Sequence, residues 1–170
     1  MMVRRRYMKA CVVFDTRYGN TLKIAKSLES GLKGAGIDAF CFNAKDVSSD
    51  SLRESDLICV GAPTEWHTAY RPIREFLRAI HRQDVAGKFG FAFDTKLDRP
   101  LAGSAAKPIE KELRSLGFRI ISPRESATVF MEGGNVGGAK LKEGEEKRFE
   151  GIGLRIGGVL LRRAQEMGNS

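Results

Sequence analysis

The sequence contains few of the residues from which disulfide frameworks and metal sites are built. Its 170 residues include three cysteines, Cys11, Cys41 and Cys59, and two histidines, His67 and His81. The cysteines are widely spaced, lie inside apolar runs and form no CxxC pair, which is typical of a protein in a reducing compartment. We therefore expect a cytoplasmic protein with buried thiols, no disulfide framework and no metal site.

Long apolar runs are also lacking. None approaches the roughly 20 residues that cross a membrane. The basic residues 4–6 are followed by Tyr7, Met8 and Lys9, where a signal peptide needs an apolar stretch. Secretion and membrane spanning are therefore disfavoured. We expect residues 1–7 to form a disordered extension and residues 8–170 to fold as one domain, because a chain of this length suits a single core.

Short apolar runs alternate with stripes at helical spacing along the whole sequence. Strands are predicted at residues 10–14, 37–42, 57–61, 89–93 and 119–131, the last with a break near Pro123, and helical patterns lie between them. This alternation indicates parallel strands joined by right-handed crossovers. The predicted architecture is a three-layer, doubly wound α/β sandwich.

The last predicted helix, residues 143–164, is rich in glycine. It contains Gly151, Gly153, Gly157 and Gly158, and each interior glycine costs a helix about 0.5–1 kcal/mol relative to alanine. Either this small face packs closely against the sheet, or it forms a close helix contact across a dimer.

The loop after the first predicted strand combines hydroxyl groups with a glycine and leads into a helix. Such a loop binds phosphate through unpaired N–H groups and the positive end of the helix dipole. The alternative is that Asn20 or Thr21 only caps the helix. Neither GxxxxGK[ST] nor a GxGxxG fingerprint after a strand is present, which argues against a P-loop and a dinucleotide site.

From residue 12 the sequence resembles the flavodoxins. Residues 12–21 with Ala25 and Leu28 fit the family signature. Residues 61–64, 103–106, 116–118 and 141–145 resemble later family segments. The resemblance implies a five-stranded parallel sheet in the order 2-1-3-4-5, with FMN at the switch point between strands one and three.

By this resemblance FMN would contact three loops. The phosphate would lie on Thr16, Arg17, Tyr18, Gly19, Asn20 and Thr21. The ring would lie between the loop after strand three, with Ala62, Pro63, Thr64, Glu65, Trp66 and His67, and the loop after strand four, with Asp94, Thr95, Lys96 and Leu97.

The second loop contains an aromatic residue that could stack on the ring, whereas the third loop, residues 94–100, contains none. Trp66 is the only tryptophan, and we expect it to stack on the ring rather than fold back onto the core, with Tyr70 as the substitute. His67 is either a solvated histidine or a proton donor to the flavin. The third loop departs from the family because Lys96 and Arg99 bring positive charge, partly offset by Asp94 and Asp98. A cation near the reduced ring stabilises its anion, so we expect a less negative potential than a typical flavodoxin has.

Basic residues outnumber acidic ones by 29 to 21, giving a formal net charge of +8. Arg71, Arg74, Arg78 and Arg82 recur at i, i+3, i+7 and i+11 on one predicted helix face. That face is either a solvated surface or a docking site for an acidic redox partner. Nucleic-acid binding is disfavoured, because no aromatic residues interleave with these arginines.

These observations predict an FMN-binding protein that carries electrons between cytosolic partners and needs no catalytic acid, base or nucleophile. One alternative is a flavodoxin-like reductase or oxidase acting on a quinone or protoporphyrinogen. Residues 16–17 and the high pI also resemble the flavodoxin-like protoporphyrinogen oxidases. A second alternative is a non-redox binding module that has lost the flavin. Association into an oligomer stays open.

Overall fold

Strands and helices alternate along the chain as predicted. The structure is a computed structural model that describes residues 6–65, 68–69, 71–131 and 138–170. Its strands are β1 (Lys9–Phe14), β2 (Asp38–Asn43), β3 (Leu57–Glu65), β4 (Thr68–Ala69), β5 (Phe89–Leu97), β6 (Arg119–Ile120), β7 (Glu125–Met131) and β8 (Ala139–Leu141). Its helices are α1 (Asn20–Gly34), α2 (Ser49–Glu54), α3 (Arg71–Ala79), α4 (Arg82–Val85), α5 (Ala106–Ser115) and α6 (Glu145–Gly168).

The sheet has the strand order β2-β1-β3-β5-β7-β8, and its first five strands are parallel. These five strands confirm the predicted order 2-1-3-4-5. The predicted fifth strand is divided at its expected break into β6 and β7, which both pair with β5. The pattern did not predict β8, a three-residue strand antiparallel to β7.

Helices cover both faces of the sheet, which confirms the three layers. On one face Ile24 and Leu28 of α1 and Phe149 of α6 pack on Val12 and Phe91. On the other face, α3 and α5 pack on alternate residues of the same strands; the buried side chains there include Ile73, Leu77, Ile109, Leu113, Val13, Ile58 and Val60. Strands covered on both faces account for the continuous apolar runs in the sequence.

Two glycines of α6, Gly153 and Gly157, pack against α1 and its C-terminal end rather than mainly against the sheet. A Cβ atom on Gly153 would lie 2.5 Å from the Leu28 carbonyl oxygen, and one on Gly31 would lie 2.0 Å from the Glu150 carbonyl oxygen. Gly157 likewise faces Ala35 at the end of α1. The backbones of α1 and α6 therefore approach closely because glycine supplies no side chain. Gly151 has open space and takes no part in this contact.

The ends of β3 and β5 extend further than predicted. Residues 62–65 and 94–97, predicted as loops, are strand residues. Ala62 and Pro63 pair with Asp94 and Thr95, and Leu97 pairs with Val129 of β7. These strand ends were predicted as loops because their residues are mostly polar and continue no apolar run. They are strands because neighbouring strands supply backbone hydrogen-bond partners.

Among the described residues, no helix combines the length and the apolar character needed to cross a membrane.

Candidate functional site: a cavity at the carboxyl edge of the sheet

A cavity of about 590 Å³ opens where β1, β3, β5 and β7 end. Its volume lies within the range of small-molecule sites. In a doubly wound sheet this edge, next to the point where the strand order reverses between β1 and β3, is the usual place for a ligand. The loop after β1 forms one side of the cavity, and β3, β5 and β7 form the other.

The loop after β1 turns sharply into α1 at Gly19. Gly19 has a φ of 88°, a left-handed conformation that glycine adopts without strain. Its N–H donates to Thr16 Oγ1 over 2.9 Å, and the Thr16 N–H donates to Asp15 Oδ1 over 2.6 Å. These bonds fix the loop, and the hydroxyl proton of Thr16 remains to donate elsewhere.

The first turn of α1 carries N–H groups that its own side chains do not cap. Gly19 supplies no side-chain cap, and the turn contains no acidic residue. The first N–H groups of a helix lack partners within the helix and favour negative charge. The N-terminus of α1, which borders the cavity through Asn20 and Thr21, is therefore suited to bind an anion.

Two buried hydroxyl groups meet in the wall beside this helix end. Thr21 Oγ1 of α1 and Thr95 Oγ1 of β5 lie 2.9 Å apart, and the two residues are 1% and 4% exposed. Only one of their two hydroxyl protons can lie in this bond. The other is left for an acceptor, which adds a second hydroxyl donor to the anion site.

Asn20 and Tyr18 tie the loop to the edge of the sheet. Asn20 Nδ2 donates to the Ala139 carbonyl oxygen of β8 over 2.7 Å. The ring of Tyr18 packs beside Gly138, where a Cβ atom would lie 3.3 Å from it. The Arg17 guanidinium lies 5.4 Å from the centroid of that ring. Asn20 therefore uses one amide proton for structure, and Tyr18, half exposed, borders the mouth of the cavity.

The comparisons with known proteins agree with this geometry. The sequence model of the family described as Flavodoxin matches residues 12–152. This chain belongs to the flavodoxin family. Flavodoxins bind FMN and transfer electrons to redox partner proteins.

Individual relatives match over part of their length. The chain is 29% identical over 89 residues to a flavodoxin from Clostridium saccharobutylicum, which covers 52% of this chain and 56% of that one. It is 25% identical over 129 residues to coenzyme F420H(2) oxidase from Methanothermobacter marburgensis, which covers 69% of this chain and 30% of that one. The chain thus spans between 30% and 56% of the length of these curated relatives.

Solved structures show the same fold. A flavodoxin from the domain Archaea has a TM-score of 0.74 at 23% identity, covering 90% of this chain and 99% of the other.

Most of the residues predicted for the FMN site are brought together in the cavity. Those that line it are Thr16, Arg17, Tyr18, Asn20, Thr21, Pro63, Thr64, Thr95, Lys96 and Leu97. Gly19 contributes the turn instead. Ala62 lies in the core beneath α3 and α5, and Asp94 is buried against the start of α5. Neither lines the cavity, because both side chains are fully buried beneath the helices of that face.

Some predictions for the ring-binding side fall outside the described part of the chain. Trp66, His67 and Tyr70 lie there, as does the side chain of Glu65, so stacking by Trp66 or Tyr70 and proton donation by His67 stay predictions.

The sequence reasoning placed the charge of Arg99 near the ring but missed five other lining residues: Leu101, Ala102, Val129, Met131 and Ala139. One signal was available. Leu101 is a large apolar residue in a polar connection, and it is 84% exposed at the cavity mouth. Val129 and Met131 carried no signal, since only the extension of β5 beside β7 brings them to the site.

The charge of the cavity is more one-sided than expected. Arg17, Lys96 and Arg99 line it, and none of its described lining residues is acidic. Asp94 faces α5, and Asp98 is not part of the lining. Neither carboxylate belongs to the described wall, and the predicted partial offset of charge by Asp94 and Asp98 stays a prediction.

The predicted arginine stripe is interrupted. Arg71, Arg74 and Arg78 lie exposed on α3, and Arg71 pairs with Glu75 at 2.8 Å. Helix α3 ends at Ala79, and the chain turns so that both Ile80 and Val85 are buried. Arg82 therefore belongs to α4, where its Nη1 donates to the Ser115 carbonyl oxygen of α5. It does not continue the face of α3.

The three cysteines are not poised for chemistry. Burial raises the pKa of Cys11 and of Cys41 to about 12, and it raises the pKa of the fully buried Cys59 as well. Thiols held protonated in this way are poor nucleophiles.

Proposed function

We propose that this chain binds FMN in the cavity and carries single electrons between redox partner proteins. The observation that carries the proposal is the uncapped N-terminus of α1 beside the hydroxyl groups of Thr16, Thr21 and Thr95, because this donor set suits a phosphate monoester. Membership of the flavodoxin family supports FMN as the molecule that carries that phosphate.

The rest of the cavity suits a planar ring with a polar edge. Leu97, Leu101, Val129 and Met131 supply apolar contact area, and Lys96 supplies a cation. FMN would supply the redox chemistry, whereas the chain would bind it, orient it and set the charge around it. In this arrangement the phosphate would lie at α1, and the ring would lie between β3 and the connection that follows β5.

The partner in this proposal is an acidic protein. Arg74 and Arg78 have no ion-pair partner within the described parts of the chain, and Arg71 is paired only to the exposed Glu75. Helix α3 begins at the edge of the sheet that holds the cavity, so its cations could steer a negatively charged protein toward the ring.

The test is a titration of the purified protein with FMN and with riboflavin, followed by the visible spectrum. We expect one equivalent of FMN to bind and riboflavin to bind more weakly, since it lacks the phosphate. A protein that takes up neither would contradict the proposal and favour a binding module without flavin.

Electron transfer is tested with an acidic ferredoxin as electron donor. We expect its rate to fall at high salt and in the Arg74→Glu and Arg78→Glu variants, with Lys107→Glu on α5 as the matched control. Steady turnover with a small quinone, unaffected by these variants, would instead favour the reductase.

A further inference from the structure

Asp94 is a buried carboxyl group directly behind the cavity. It is 0% exposed and lies near the end of β5, next to Thr95, which lines the cavity. Its own side chain points to the opposite face of the sheet and meets the start of α5. Asp94 therefore cannot contact a molecule in the cavity through the described wall. It is hydrogen-bonded, however, to Thr64, which lines the cavity, and to Ser104 in the connection whose earlier residues line it.

Three donors from different elements meet at one oxygen of Asp94. Oδ2 accepts from Thr64 Oγ1 of β3 over 3.1 Å and from Ser104 Oγ over 2.7 Å. It also accepts from the N–H of Ala106, the first residue of α5, over 2.9 Å. Thr64 Oγ1 in turn accepts from the Ala105 N–H over 2.9 Å. The hydroxyl proton of Thr64 is thus used inside this network, which leaves its methyl group and not a donor for the cavity.

The network joins two walls of the cavity. Thr64 belongs to the β3 wall. Ser104 ends the connection after β5 from which Arg99, Leu101 and Ala102 reach the cavity. Two of the described backbone hydrogen bonds in that connection are local turns: the Arg99 N–H donates to the Leu97 carbonyl oxygen, and the Ala102 N–H donates to the Arg99 carbonyl oxygen. The third is a 3.4 Å bond from the Asp98 N–H to the Val129 carbonyl oxygen of β7. The connection is tied to β3 by the bond from the Ala105 N–H to Thr64 Oγ1 and, through Asp94 Oδ2, by the bonds to Ser104 and Thr64.

The other oxygen of Asp94 is without a partner. Oδ1 is buried and makes no hydrogen bond in the described part of the chain, and such an atom costs free energy. Asp94 also replaces the missing cap of α5, whose N-cap residue, Ala105, provides no side-chain bond. Capping alone would explain the bond to Ala106, but it would not explain the bonds to Thr64 and Ser104.

We infer that Asp94 is a positioning residue that fixes the separation between Thr64 and the connection of residues 98–104, and so sets the width of the ring-binding end of the cavity. This inference rests on the proposed function. The anion-binding end is built on α1 and does not involve Asp94.

The test compares Asp94→Ala with Asp94→Asn. The dissociation constants of FMN, riboflavin and inorganic phosphate are measured on protein shown to be folded by its near-UV circular dichroism. For Asp94→Ala we expect the affinities for FMN and riboflavin to fall by the same factor, about tenfold or more, because the ring-binding end would no longer be held at one width. Phosphate binding should be unchanged. Asp94→Asn should recover most of the loss, because the amide oxygen can replace Oδ2 while its NH₂ takes the place of Oδ1.

Thr64→Val and Ser104→Ala provide milder variants should Asp94→Ala fail to fold. Each removes one donor, and Thr64→Val combined with Asp94→Asn should show non-additive losses of FMN affinity. The matched control is Asp98→Ala, which removes an exposed carboxylate from the same connection and should change FMN affinity less than about twofold.

Two negative outcomes have different meanings. Wild-type protein that binds no FMN would overturn the proposed function and with it this inference. Wild-type protein that binds FMN, with variants that lose thermal stability but keep the wild-type affinity for riboflavin, would show Asp94 to be only a helix cap and would overturn this inference alone.

Discussion

Helix α1 has two surroundings that differ in how much room they leave. Along its side it crosses α6 through glycines, where not even a methyl group fits on Gly31 or Gly153. At its N-terminus it opens onto a cavity of about 590 Å³ lined by hydroxyl groups and cations. The close packing against α6 fixes the position of α1, and this position places the N–H groups of its first turn at the cavity. Substitutions in the crossing should therefore change stability, and those at the helix end should change binding.

The largest effect is expected from Gly31→Ala. Its new Cβ would lie 2.0 Å from the backbone oxygen of Glu150, so the two helices would have to separate. We expect the free energy of unfolding, measured in urea, to fall by about 3 kcal/mol. Gly151→Ala is the matched control, since its Cβ meets nothing within 4 Å; it should raise stability by about 0.5–1 kcal/mol through helix propensity. Equal stability of Gly31→Ala and wild type would mean that the crossing is looser than described.

A smaller effect, this time on binding, is expected from Thr21→Val. The substitution keeps the shape of the side chain but removes one of the two hydroxyl groups beside the helix end. We expect FMN affinity to fall about tenfold, near 1.4 kcal/mol, and riboflavin affinity to stay close to that of wild type. Ser30→Ala removes an exposed hydroxyl from the same helix and should leave both affinities alone. An equal loss for riboflavin would place the effect of Thr21 at the ring instead of the phosphate.

The two surroundings also differ in what the sequence could predict. Residues 16–21 are consecutive, and their hydroxyl groups, glycine and following helix indicate either an anion site or a helix cap without any long-range contact. The opposite wall depends on β3, β5 and β7 pairing beyond their apolar segments, which the sequence does not signal. For that reason Thr95, whose hydroxyl meets that of Thr21, and Asp94, which meets the start of α5, were both placed in a loop. The parallel pairing followed from the alternation of elements, whereas the strand order followed from the family resemblance alone.

The positive charge of the cavity wall opposite α1 gives a third test that distinguishes the cavity from the helix crossing. Lys96 and Arg99 line the cavity without an acidic neighbour in its described lining, and a cation there stabilises reduced, anionic flavin. We expect the Lys96→Gln, Arg99→Gln double variant to have a two-electron potential about 20–30 mV more negative than wild type by spectroelectrochemistry, near 1 kcal/mol. The shift should shrink at high salt. Lys107→Gln on the exposed face of α5 is the control; a shift of the same size in that variant would show a general effect of net charge.

The smallest effect, on stability, is expected at Glu145. This residue begins α6 and joins that helix to β7 beside the cavity. Its carboxylate accepts from Arg148 Nε over 2.8 Å and from the Thr128 N–H of β7 over 2.7 Å. The bond from Arg148, with help from Thr128, lowers the pKa of Glu145 despite its burial. Because the pKa is lower in the folded than in the unfolded protein, this stabilisation is present above the ordinary pKa of glutamate and is lost as the pH falls through the lowered value.

We therefore expect Glu145→Gln to be less stable than wild type at pH 7 by about 0.5–1 kcal/mol. The difference should shrink as the pH falls below the ordinary pKa of glutamate and through the lowered pKa of Glu145, since wild type then loses the contribution. Glu146→Gln, at an exposed position in the same turn, should show no comparable pH-dependent difference. FMN affinity at pH 7 should be the same in all three proteins, since Glu145 holds α6 to β7 without lining the cavity. A loss of FMN affinity in Glu145→Gln would mean that the packed side of the molecule and the open site are coupled through β7.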